Sequence, residues 1–117
     1  MNLQQYKNLT KKKNNKYKNK ICEYNGYKFH SLLERDFYCH LEMLQKSGKI
    51  VRILRQVPLF LAPGSKLIVD FMVKYDGDLD YIFYDTKGII TPLARTKIKI
   101  AEHLYSIEIK IIKKGDF

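Results

Sequence analysis

The chain has 117 residues, 45% of them hydrophobic, enough for one domain around one core and too few for two. It carries no apolar run near the ~20 residues of a membrane span and no secretory signal pattern at its polar, lysine-rich start, so a cytoplasmic protein without membrane contact is expected. Its formal charge is +10, and its two cysteines, Cys22 and Cys39, make neither a disulfide framework nor a zinc-spaced pair, which leaves them as reduced thiols.

The charge is concentrated at the beginning. Residues 1–20 hold seven lysines (Lys7, Lys11, Lys12, Lys13, Lys16, Lys18, Lys20) and no acid, leaving 15 basic against 12 acidic residues in the rest. Such a segment has too little hydrocarbon to order itself, so a disordered arm is expected, suited to polyanions through counterion release. A tail that only raises solubility would have the same composition. Lys11, Lys12, Lys13 and Lys16 are its candidate nucleic-acid contacts, and Tyr6 and Tyr17 could stack on unpaired bases. Packing is the simpler account of Tyr24 and Tyr27.

Residues 21–117 are expected to form the folded domain. Asn25-Gly26, flanked by aromatic residues, predicts a two-residue hairpin turn. Ser31 is placed to cap a helix reaching Lys46 and ended by Ser47-Gly48, with Leu33, Phe37, Leu41 and Leu44 as its apolar stripe. Lys49 to Leu61 reads as one or two extended segments in which Pro58 marks an edge or a bend. After a turn at Pro63-Gly64-Ser65, strands Lys66 to Tyr75 and Tyr81 to Lys87 should pair antiparallel across an Asp/Gly-rich turn. Pro92 fits the first turn of a second helix reaching Leu104, and Ser106 to Lys113 reads as a last strand. This order predicts an α/β fold, a mixed sheet flanked by two main helices.

Two of these strands carry acids where a strand should bury hydrocarbon. With a period of two, Asp70 shares a face with Ile68 and Met72, while Asp85 shares one with Phe83 and Lys87. A lone buried carboxylate costs several kcal/mol unless paired or bound to a cation. If Asp70 and Asp85 met at ~4 Å, their repulsion at an effective dielectric near 20 would be about 4 kcal/mol, which a divalent cation would cancel. Mg²⁺ is commonly held by one or two carboxylates with waters and phosphate oxygens, and Lys87 would then hold water or balance phosphoryl charge. A surface ion pair is the plain alternative for Asp85 and Lys87. Glu34 has its own alternative, a capping box with Ser31, although its spacing with Phe37, Leu41 and Leu44 also turns it toward the sheet. Arg95, Lys97 and Lys99 on the second helix are either a solvated face or phosphate contacts. His30, His40 and His103 follow no ligand spacing, and of the three His30 lies nearest the expected site.

Ser31-x-x-Glu34, Gln56-x-Pro58, Val69-Asp70-Phe71 and Asp85-Thr86-Lys87-Gly88, in this order on helix and strands, resemble the PD-(D/E)XK nuclease superfamily. The likeness is nearer to its small phage-encoded nucleases and to the endonuclease subunit of heteromeric transposases, and it spans Tyr24 to Ile112. It departs from the superfamily label in placing Val69 where the proline stands. The resemblance implies a restriction-endonuclease-like core and Mg²⁺, with Mn²⁺ able to substitute. It makes Asp70 and Asp85 metal ligands, joined by Glu34 as an auxiliary acid in the same metal shell, makes Lys87 catalytic beside these three acids, and matches Gln56 to a possible auxiliary position of undefined role. The activity it implies is endonucleolytic cleavage of branched or otherwise structured DNA such as four-way junctions. The protein would be phage-encoded, acting in a bacterial host, and a homodimer if both strands are cut. The alternative from another class is a non-catalytic basic nucleic-acid-binding protein whose acids are structural.

Overall fold

Asn25 and Gly26 both adopt positive φ, 53° and 81°, the twist that joins two strands in a tight hairpin. They link β1 (Cys22–Tyr24) to β2 (Tyr27–Phe29), which pair as a separate two-stranded sheet. The computed structural model describes residues 21–117, so the expected disorder of the arm and the contacts of Lys11, Lys12, Lys13, Lys16, Tyr6 and Tyr17 lie outside the described residues. Helix α1 (Leu32–Lys46) begins at Ser31, whose hydroxyl accepts the Glu34 amide, and ends at Ser47.

The main sheet has four strands in the order β3-β4-β5-β6. Lys49 to Leu61, open between one segment and two, becomes the single strand β3 (Ile50–Ala62), and Pro58 is tolerated because β3 lies at the edge. Strands β4 (Ser65–Tyr75) and β5 (Ile82–Thr86) continue antiparallel, and the acidic turn between them is solvent-exposed. Helix α2 (Pro92–Tyr105), capped by Thr91 with proline in its first turn, then crosses over to β6 (Ile109–Ile112), which lies parallel to β5. The last strand is shorter than expected. Ser106 takes a left-handed conformation that closes α2 one residue later than predicted, and the Glu102 carboxylate accepts the Ile109 amide where β6 begins. The result is the expected α/β class, a mixed four-stranded sheet with two helices. Among the described residues no helix is long and apolar enough to cross a membrane.

The core is divided. Phe37 and Leu41 of α1 pack with Phe29, Ile50, Phe71, Val73 and Tyr84, whereas Ile98 and Ala101 of α2 pack with Leu59, Leu67, Val69, Phe83 and Ile109. A uniform period of two would keep Val69 and Phe71 on one face, yet they join different clusters, and Met72 packs with the cluster of Val69. The change occurs where Asp70 faces Gln56 across the β3–β4 pair, and Gln56 has a φ of 53° inside a strand. Both residues thus sit where the sheet passes its buried side from one helix to the other.

Candidate active site

Backbone pairing of β4 with β5 runs from Val73 opposite Ile82 to Phe71 opposite Tyr84 and stops there. Past this point side chains take over the pairing. The Asp70 amide donates to Asp85 Oδ1 at 3.3 Å, while Asp70 Oδ2 accepts the Thr86 amide at 2.9 Å and the Thr86 hydroxyl at 2.6 Å. Each aspartate therefore satisfies an amide that the ladder has released, which fixes both carboxylates at the open end of the strand pair.

Asp85 is the buried member, 1% exposed, and so not half of a surface ion pair. Lys87 Nζ stands 3.2 Å from Asp85 Oδ2, but the approach is not aligned as a hydrogen bond, and this oxygen has no hydrogen-bond donor. Burial first, and then the charge of Asp70, push the Asp85 carboxyl up to about 7 against the opposing pull of Lys87. This oxygen and Arg55 Nε are the two polar side-chain atoms that lie buried without a hydrogen-bond partner among the described residues, a state that is uncommon in protein interiors.

Glu34 combines the two roles set against each other in the sequence. Its amide donates to Ser31 Oγ at 3.1 Å, and its Oε2 accepts the His30 amide at 2.9 Å, a capping box displaced by one residue. Its other oxygen turns to the sheet, where Gln56 Nε2 donates to Glu34 Oε1 at 2.8 Å and lies 3.4 Å from Asp70 Oδ1. One amide thus bridges two carboxylates, which gives Gln56 a physical role. Glu34 is 2% exposed, and its carboxyl is raised by burial and by the charge of Asp70, while the His30 amide and the charges of His30 and Arg55 oppose the rise. His30 Nδ1 lies 3.6 Å from Glu34 Oε2 on an otherwise exposed side chain.

Two contributors carry no marker in the sequence. Thr86 occupies the variable position between Asp85 and Lys87, yet its hydroxyl and amide orient Asp70. Arg55 reaches to 3.8 Å from Glu34 Oε1 while its guanidinium sits 4.1 Å from the Phe29 ring centre and 4.9 Å from that of Tyr27. Strand alternation would send Arg55 and Gln56 to opposite faces, and both reach Glu34 only where Gln56 has a φ of 53°, which no sequence pattern signals.

Among the described residues, no group of three or more His, Cys, Asp or Glu side chains is arranged to hold a metal ion. The acids instead form a chain in which Glu34 meets Asp70 through Gln56 and Asp70 meets Asp85 through its amide. Of the three expected ligands, Glu34 thus meets Asp70 through Gln56, while its other oxygen accepts the His30 amide. Asp70, Asp85 and Lys87 are brought together. On α2, Lys97 is half-buried and lines a cleft shared with Lys87, while Arg95 and Lys99 are exposed and do not line it. Gly88 has open space around it, so nothing local demands a glycine there. Comparison with protein-family models, curated proteins and solved structures finds no match for this chain.

Proposed function

We propose that the protein is a divalent-metal-dependent DNA endonuclease whose active site is built on Asp70, Asp85 and Lys87 at the end of the β4–β5 pair. The observation that carries this reading is the Asp85 carboxylate, nearly fully buried, with one oxygen lacking a hydrogen bond and a second carboxylate and an ammonium beside it. A hard cation that takes oxygen ligands fits that donor set. Asp85 Oδ2 and Asp70 Oδ1 would hold Mg²⁺ or Mn²⁺, since Asp70 Oδ2 is already saturated by Thr86. When bound, such an ion polarises phosphoryl oxygens and acidifies a water.

The chain's own groups have definable tasks around it. Thr86 holds the Asp70 carboxylate in one orientation, and Gln56 keeps Glu34 and Asp70 close without adding positive charge that would compete with a cation. Lys87 pairs with Asp85 at 3.2 Å, so its ammonium lies beside the carboxylates, where it could orient an attacking water or meet charge building on the phosphate. The described domain has no separate base-reading element, which favours recognition of backbone and shape, as in branched DNA. Cutting both strands at one place would require two copies.

Purified protein with Mg²⁺ and a panel of duplex, nicked and four-way DNA tests the reading. Cleavage is expected on at least one substrate and is expected to vanish in Asp70→Ala and Lys87→Ala. Undiminished cleavage in either variant defeats the assignment. The second reading, a non-catalytic nucleic-acid-binding protein, is favoured by one observation, the missing three-residue metal group among the described residues. It predicts that Mg²⁺ leaves thermal stability unchanged and that Asp70→Asn raises it.

A further inference from the structure

Lys87 borders a second feature besides Asp85. A cleft of about 540 Å³ lies between the β3–β4 turn and the first turn of α2, and its lining includes Lys66, Ile68, Lys87, Thr91, Leu93 and Lys97. No carboxylate lines it. Lys97 Nζ is turned back over the strand, 3.5 Å from the Lys66 carbonyl, and lysines from β4, from the segment after β5 and from α2 line one depression.

The helix end reinforces this charge. The first turn of a helix leaves amides without carbonyl partners and carries partial positive charge, which an acidic residue there would normally offset. The first turn of α2 contains no acid, and its cap Thr91 uses its hydroxyl to accept the Ala94 amide. The positive end is therefore uncompensated by the protein itself. Leu93 and Ile68 add exposed hydrocarbon to the rim, a surface suited to sugar and base faces alongside a phosphate.

We infer that this cleft seats a non-reacting phosphate of the DNA strand, adjacent to the one presented to Asp85 and Lys87, with the Lys66 and Lys97 ammonium groups as its ligands. The inference rests on the endonuclease reading for the direction of the strand, which would run from Lys87 along the cleft toward the β3–β4 turn. Phosphate contacts of this kind position a substrate without reading its sequence, which suits a nuclease that recognises shape.

The test uses the full chain and a fluorescently labelled DNA duplex, with binding measured in EDTA over a range of salt. Each duplex phosphate neutralised contributes about 0.9 to the slope of log K against log salt. The double variant Lys66→Ala/Lys97→Ala, which strips the one phosphate of both ligands, is expected to lower the slope by about that amount, and Lys46→Ala, an exposed residue at the far end of α1, to leave it in place. An unchanged slope in the cleft variant, an equal fall in Lys46→Ala, or no binding by the wild type overturns the inference. Parallel assays with Mg²⁺ separate the two readings. A lowered slope without any wild-type cleavage leaves the cleft standing and removes the endonuclease, whereas cleavage with an unchanged slope does the reverse.

Discussion

A carboxylate that is 1% exposed and pushed up to about 7 ties stability to pH. The Asp85 value in the fold lies above the ~3.9 of an unfolded chain, so its favourable contribution is complete below about pH 4 and is lost as pH rises through about 7. Glu34 shifts in the same direction and adds to the same slope. In EDTA, Asp85→Asn is expected to be more stable than the wild type at pH 8, by on the order of a few kcal/mol, with a flatter profile between pH 4 and 8 in thermal melts. Lower stability of the variant at pH 8 would mean that the Lys87 ion pair outweighs the cost of burial. Gln56 allows a second separation, between backbone and side chain. A non-glycine residue at a φ of 53° carries roughly 1–2 kcal/mol of steric cost, while the side chain bridges two acids. Gln56→Gly is therefore expected to be about 1 kcal/mol more stable than Gln56→Ala in urea titrations, with both equally impaired in DNA cleavage. Equal stability of the pair would remove the backbone term. The acids and Lys87 could be read from the sequence because charge inside an apolar strand is anomalous in any fold. The clamp by Thr86 could not be read, since it depends on where the β4–β5 ladder stops. Nor does a glutamine announce a left-handed backbone, as asparagine, aspartate or glycine would.

At the level of elements, local chemistry marks the turns and caps plainly. Asn25-Gly26, Ser31, Thr91 and Pro92 each lie where turn or capping chemistry requires them. The face change at Gln56 and Asp70 lies beyond periodicity, because it arises from two helices covering different stretches of one strand pair. That division has an energetic consequence. Ile50 packs in the cluster around α1 and Ile98 in the cluster around α2, with no buried residue common to both. Ile50→Val and Ile98→Val are each expected to cost about 1 kcal/mol, and the double variant to equal their sum within about 0.5 kcal/mol. A larger discrepancy in chemical denaturation would show that the strands around Gln56 couple the two halves, and would place the site on a shared rather than a divided scaffold.

For the whole molecule, the proposed function implies a division between binding and chemistry that follows the charge. Seven of the 22 basic residues lie within residues 1–20, and the rest of the chain is close to balance. Most long-range attraction for a polyanion should then come from the first 20 residues, whereas the groups assigned to hydrolysis lie at the end of β4 and β5. Replacing all seven lysines of residues 1–20 with glutamine tests this division on the full-length chain. The salt slope of DNA binding is expected to flatten by several units, at about 0.9 for each duplex phosphate no longer neutralised. Mg²⁺-dependent turnover at saturating DNA should persist while the DNA concentration needed for half-maximal rate rises. The split decides between two physical pictures. If turnover at saturation falls as steeply as affinity, the lysines are acting on the reacting phosphate and the site at Asp70, Asp85 and Lys87 is incomplete without them. If only the concentration dependence moves, residues 1–20 raise the local concentration of substrate, and orientation at the carboxylates is left to Lys66, Lys87 and Lys97.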